Sequence, residues 1–222
     1  DALNDDESFD PAPTAEPDTS RFPWPPAEGE SIPGAFVQTW REASLEPRRF
    51  FRAMPTDGPI GPALLYYLVI GVVAAAARLL WTLLGFGFEM ERDAVLGEAP
   101  QALHPLVEFL LSPLLLVAVF FAAGAIVHLL LRLFGGANGR LNTTLRVSAF
   151  AYSPAVLEWV PFIGGLAGTI WTVVVLVIGL REAHATSTGR VLAAVLLPLF
   201  FLVILLAVLT FIATAGHLLL PD

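Results

Sequence analysis

Three ionisable residues stand inside otherwise apolar stretches of this chain: Arg78, Glu108 and Glu158. A charge in hydrocarbon is costly enough that a partner or a water-filled cavity is expected beside it. The order of the stretches puts all three in the same half of the apolar region, so an Arg78–Glu158 pair is the preferred arrangement. On a functional reading this is a polar pathway or substrate site. The plainer reading, a structural pair or side chains snorkelling to an interface, is preferred. A second group is His128 and Arg132, four apart and so on one helix face. With Arg146 and Arg181 they would make a basic pocket for a lipid headgroup or a phosphate. Anchoring of the helix ends already accounts for the arginines, which leaves His128 as an interhelical contact.

Other chemistry is poorly supplied. The chain has no Cys, which removes disulfides, thiolate metal sites and cysteine nucleophiles. The four histidines, among them His184 and His217, show no His-x-x-x-His spacing, and no metal or cofactor is expected. Neither a Gly-x-Ser-x-Gly nor a His-Glu-x-x-His motif occurs, and Ser148 and Ser153 have no base nearby in sequence, so no catalytic residue is assigned. The run 135–139 shares only its glycines with a phosphate loop and reads as a flexible turn.

What must position these residues is a membrane bundle. Hydrophobic residues make up 56% of the 222 and charged ones 14%, against about 25% charged in soluble domains. The fold class is all-α: a polytopic membrane protein with a five-helix transmembrane bundle over 60–222. The spans expected are 60–84, 113–134, 145–160, 163–180 and 191–220, each to be weighed against a hydrocarbon core about 30 Å thick. The third is short and carries Pro154, so a broken helix is expected there. The fifth carries Pro198 and should tilt or kink. An apolar piece at 102–112 is too short to cross and is assigned to the outer surface. Gly164-x-x-x-Gly168, Gly71-x-x-x-Ala75 and Ala118-x-x-x-Ala122 read as internal close-packing faces.

Ahead of the spans, residues 1–34 hold nine of the 20 acids and seven of the 18 prolines, and read as a disordered acidic tail. Nucleic-acid binding is disfavoured by that charge. Residues 35–59 mix Phe36, Val37, Trp40, Phe50 and Phe51 with Arg41, Arg48, Arg49 and Arg52, an amphipathic interfacial segment broken at Pro47. The basic residues, all Arg, fall in alternate connections, with Arg132, Arg140 and Arg146 in one and Arg181 and Arg190 in another. By the positive-inside tendency the N-terminus is cytoplasmic and the C-terminus outside. The Arg and Ala bias suggests a bacterial inner membrane.

From about Phe36 to Pro221 the chain resembles a known family, with the matching residues concentrated in 146–190. Arg146-Val147-x-Ala149-x-Ala151-Tyr152-x-Pro154, then Val160-Pro161-x-Ile163-Gly164, then Ile178-Gly179-Leu180-Arg181-Glu182-Ala183-His184 is similar to the Yip domain (Ypt-interacting protein) family, bacterial branch. Tyr152, Pro154, Pro161 and Gly164 are its structural motif positions. Of the eukaryotic branch's Asp-Leu-Tyr-Gly-Pro tract only Asp57-Gly58-Pro59 has a counterpart, so a GTPase partner is not carried over. The resemblance implies a non-catalytic integral membrane protein that organises membrane lipids or other proteins. The alternative is a small transporter or lipid-handling protein, motivated by the broken third span.

Overall fold

Proline and serine decide where the helices of this chain begin, bend and stop. A computed structural model describes residues 22–85 and 105–219, leaving out the side chains of Leu202 and of 213–219. These residues form seven α-helices and one 3-10 helix, with no strand among them: α1 (Ile32–Leu45), α2 (Pro47–Ala53), α3 (Ile60–Leu83), α4 (Pro105–Leu133), α5 (Leu141–Ala151), the 3-10 helix Ser153–Trp159, α6 (Gly164–Ala183) and α7 (Thr188–Leu219). Among the described residues four helices are long and apolar enough to cross a membrane: Ile60–Leu83, Pro105–Leu133, Gly164–Ala183 and Thr188–Ile212. The chain is therefore an all-helical multi-pass membrane protein. The expected third span is not one helix; α5 has 11 residues and gives way at Tyr152 to the seven-residue 3-10 helix.

The reason lies in Ser153-Pro154. Proline has no N–H to donate four residues back and biases the preceding residue away from the α conformation. The Phe150 carbonyl, which Pro154 cannot reach, accepts the Tyr152 N–H and the Ser153 hydroxyl, the latter at 2.6 Å. The piece expected on the outer surface is corrected by a related device. Residues 105–112 continue unbroken into α4, because Ser112 Oγ donates to Phe109 O at 2.7 Å and satisfies the carbonyl that Pro113 cannot reach. Residues 102–104 lie outside the described residues.

α3 packs on α4, α5 and the 3-10 helix, and α6 packs on α2, α5 and the 3-10 helix, while α7 joins from the side against α4 and α6. α6 is smooth where it must be. A Cβ on Gly164 would sit 1.9 Å from Leu157 O, and one on Gly179 would lie 2.7 Å from Val147 and 2.9 Å from the Phe51 ring. Gly71 is likewise pressed by Leu116, so the Gly164/Gly168 and Gly71/Ala75 faces pack internally. Ala118 and Ala122 are corrected: both are exposed on the outer side of α4.

The segment before the spans is an arm fastened to the bundle. Glu46 separates α1 from α2, and Pro47 opens α2 at a position where a missing N–H costs nothing. Phe50 and Phe51, expected to lie against lipid, are instead buried against the bundle, with Phe50 5.3 Å from the Phe150 ring. Trp40 Nε1 donates to Ser153 O at 3.1 Å, and Trp171 Nε1 reaches back to Ser44 O at 2.9 Å. The expected disordered tail also needs correction over 22–34. Phe22 packs 4.8 Å from Phe50, and the buried Trp24 donates its indole N–H to Pro62 O at 2.7 Å. Residues 1–21 lie outside the described residues.

Candidate polar site where three loops meet

The loop between α2 and α3 exposes backbone carbonyls that need donors, and the first turns of α5 supply them. Asn142 Nδ2 donates to Gly58 O at 2.8 Å, Thr143 Oγ1 donates to Thr56 O at 3.4 Å, and Arg146 Nη1 donates to Pro55 O. Gly58 is needed here, because a Cβ would fall 1.9 Å from Arg146 Nη1. Arg146 is only 4% exposed, and its Nε has no hydrogen-bond partner among the described residues.

The end of α6 is tied to the same place. His184 follows its last turn, 1% exposed, with Ala185 next at φ 46° turning the chain away. His184 Nδ1 accepts from Gly139 N–H at 3.0 Å, and Asn138 Nδ2 donates to His184 O at 2.8 Å. A backbone amide can only donate, so Nδ1 carries no proton and the neutral ring holds its proton on Nε2. That proton is donated to Thr144 Oγ1, 2.9 Å away, and the Thr144 hydroxyl is then free to donate to His128 Nδ1 at 2.8 Å. The result is a one-way line of neutral bonds, His184 to Thr144 to His128, joining α6, α5 and α4. Burial, with the His128 ring as a lesser cause, pushes the His184 pKa down to about 4.

The turn 135–139, expected to be flexible, is thus pinned. Gly139 and Asn138 hold His184, and Arg190 Nη1 donates to Gly135 O at 3.0 Å. Beside it opens a shallow cleft of about 460 Å³, lined by Thr56, Asp57, Asn138–Arg140, Thr143 and Ala183–Ala185.

The four residues expected to form a basic pocket are not brought together. His128 belongs to the Thr144 line and Arg146 to the Pro55 carbonyl. Arg132 is exposed on the last turn of α4. Arg181 lies with Glu182, Nη2 to Oε1 at 2.9 Å, beside Arg52, whose Nε donates to Glu182 Oε2 at 2.8 Å. Arg146 reaches a loop carbonyl and Arg181 the neighbouring carboxylate, so the set divides.

At the opposite end of the bundle Arg78 and Glu158 do meet, Nε to Oε2 at 3.2 Å. Trp81 Nε1 donates to Glu158 O at 3.0 Å and Trp159 Nε1 to Val73 O at 3.2 Å, locking the 3-10 helix to α3. Glu108 stands in the first turn of α4. Tyr152 caps α5 with its ring 4.8 Å from Tyr67, Pro154 starts the 3-10 helix, and Pro161 lies in the turn where Phe162 takes φ 66° before Gly164 opens α6. Among the described residues no group of His, Asp and Glu is placed to hold a metal. The His217 side chain lies outside them.

Sequence reasoning did not single out Thr144, Asn138 and Gly139 as the partners of His184. The available signal was a polar run, 142–144, opening a short apolar segment. A family model described as Yip1 domain matches residues 42–210. Comparisons with curated proteins and with solved structures give no match.

Proposed function

The chain belongs to the Yip1 domain family, and from that premise we propose a non-catalytic protein of a bacterial inner membrane that organises membrane or protein partners. Its N-terminus is cytoplasmic, its C-terminus outside, and it crosses five times. The observation carrying this is the closure of the polar site on itself. Thr144 lies between two imidazoles as a nucleophile would, and its hydroxyl donates to His128, yet it is 0% exposed, which closes it to a substrate. What faces outward at this end is the arginine-rich side of the arm, a surface for partners rather than a site for chemistry.

The five crossings rest on geometry and arithmetic. α5 starts beside the last turn of α6, through the His184 bonds, and the 160–163 turn leads into the first turn of α6. The chain between therefore runs the length of α6. Eleven residues at about 1.5 Å and seven at about 2.0 Å span roughly 30 Å, matching the 20 residues of α6. The positive-inside tendency then puts the arm, the 134–140 turn and the 184–187 turn on the cytoplasmic side.

A small transporter or lipid-handling protein is the second reading, favoured by the break at Tyr152–Ser153. Against it, the break is sealed by Tyr66, Phe150 and Trp40. Cross-linking in native membranes followed by mass spectrometry tests the proposal. Neighbours captured by the intact chain should be lost when the arm arginines Arg41, Arg48 and Arg49 become Gln, whereas an unchanged set of neighbours would remove the partner-organising reading.

A further inference from the structure

One carboxylate at the arm end of the bundle is surrounded by three guanidinium groups. Glu182 receives Arg52 at 2.8 Å and Arg181 at 2.9 Å, and Arg48 stands within electrostatic range of the same group. Three positive charges against one negative leave the cluster in excess. It is also accessible, since the Arg52 side chain is 65% exposed. Arg49 beside it is shared with Glu46 at 3.2 Å. A cationic cluster of this kind calls for an anionic occupant.

The chain itself supplies one. Seven acids lie between Asp1 and Asp18, with Arg21 the one base in residues 1–21. This segment joins the fold at Phe22, whose ring packs on Phe50, between Arg49 and Arg52 in sequence. The acidic stretch is therefore tethered to the helix that carries Arg48 and Arg52, at an effective concentration on the order of millimolar, which a free acidic peptide or headgroup would have to match. The opposite signs and the point of attachment agree on one occupant.

We propose that residues 1–21 dock through their carboxylates on the Arg48–Arg52–Arg181 cluster, covering in cis the surface that the arm otherwise offers to anionic partners. The contact is electrostatic and exposed, so it weakens as the Debye length falls below about 10 Å with added salt. Anything anionic that takes the cluster releases the segment.

The absence of Cys makes the test direct. Leu3→Cys and Leu45→Cys, spin-labelled in the full chain reconstituted in nanodiscs of zwitterionic lipid, report the separation by double electron–electron resonance. An untethered coil of this length would scatter with a root-mean-square span of roughly 24 Å about Phe22. Docking concentrates the distribution at low salt and disperses it at least twofold in width between about 0.05 and about 0.5 M salt. The triple variant R48Q/R52Q/R181Q should be dispersed already at low salt. Glu182→Gln should act in the opposite direction, holding the narrow population to higher salt, which a damaged fold would not imitate. A distribution indifferent to salt and to all four substitutions overturns the proposal. So does a segment that is dispersed in zwitterionic discs while anionic lipid copurifies with the wild-type cluster and not with the triple variant, which assigns the surface to the bilayer.

Discussion

The same dipeptide, Ser-Pro, occurs in two apolar segments and has two outcomes. In α4 Ser112-Pro113 leaves the helix unbroken, and in the segment that begins with α5 Ser153-Pro154 ends it. In both the serine hydroxyl satisfies the carbonyl that proline cannot, Phe109 O at 2.7 Å and Phe150 O at 2.6 Å. Local chemistry is thus equal, and the difference comes from the surroundings. Ser112 is itself only 9% exposed, but its sequence neighbours are the outward leucines 110, 111, 114 and 115, which ask nothing of the backbone. Ser153 is 0% exposed; its hydroxyl accepts from Tyr66 Oη at 2.7 Å and its carbonyl accepts from Trp40 Nε1 at 3.1 Å. Donors from α3 and α1 thus reward a carbonyl turned out of the α-helical ladder. The comparison teaches that a proline step becomes a break where neighbouring helices can satisfy the freed groups.

That contrast can be broken by mutation. Ser153→Ala orphans the buried Tyr66 hydroxyl and takes one of two donors from the Phe150 carbonyl, which keeps the Tyr152 N–H; at about 2 kcal/mol for the hydroxyl and about 1.5 for the lost bond it should cost roughly 3.5 kcal/mol, read as a large fall in thermal midpoint in detergent. A loss no greater than that from Ser112→Ala would mean the surroundings do not distinguish the two steps.

Acid should act next most strongly, and only on the broken segment. The folded His184 pKa is depressed from 6.5 to about 4, so its stabilising contribution is complete above pH about 6.5, falls as the pH is lowered, and is gone below about 4. The full amount is about 3 kcal/mol. Hydrogen exchange should rise across the 135–151 stretch over that window while the turn around Ser112 is unchanged, and His184→Gln should abolish the difference. Ser112→Ala follows, at about 1 kcal/mol, because a single part-buried carbonyl loses its side-chain donor. Smallest is Arg78→Ala. The Arg78 side chain is on the outer side of α3 near its end, 61% free of protein contact, where it can snorkel to headgroups, and a pair so placed contributes about 0.5 kcal/mol or less.

Much of this was legible in the residues. Apolar length located α3, α6 and α7, since a membrane interior leaves the backbone few alternatives to helix. The cost of an isolated charge argues for Arg78 and Glu158 as partners, and their 3.2 Å contact is local to one end of the bundle. The bonds of His184 were not legible. They join Asn138, Gly139 and Thr144 to a residue 40 or more positions away, and such pairing depends on where α6 ends relative to α5. The arm misled for a similar reason. Phe50 and Phe51 beside arginines fit a lipid surface as well as a protein one, and only the smooth face at Gly179 decides for the protein. The Ser-Pro steps were equally ambiguous, because the donors that tell them apart, Tyr66 and Trp40, lie on other helices.

The five-crossing arrangement depends on α5 and the 3-10 helix together spanning the bilayer. The direct measurement is labelling of single cysteines by a membrane-impermeant maleimide, from each side of sealed vesicles, at Leu141→Cys and Ile163→Cys, which are 40% and 66% exposed and flank that segment. Modification of Leu141→Cys from the cytoplasmic side only and of Ile163→Cys from the opposite side only is the predicted result. Modification of both from the same side would show a segment that enters and returns, and would contradict the account.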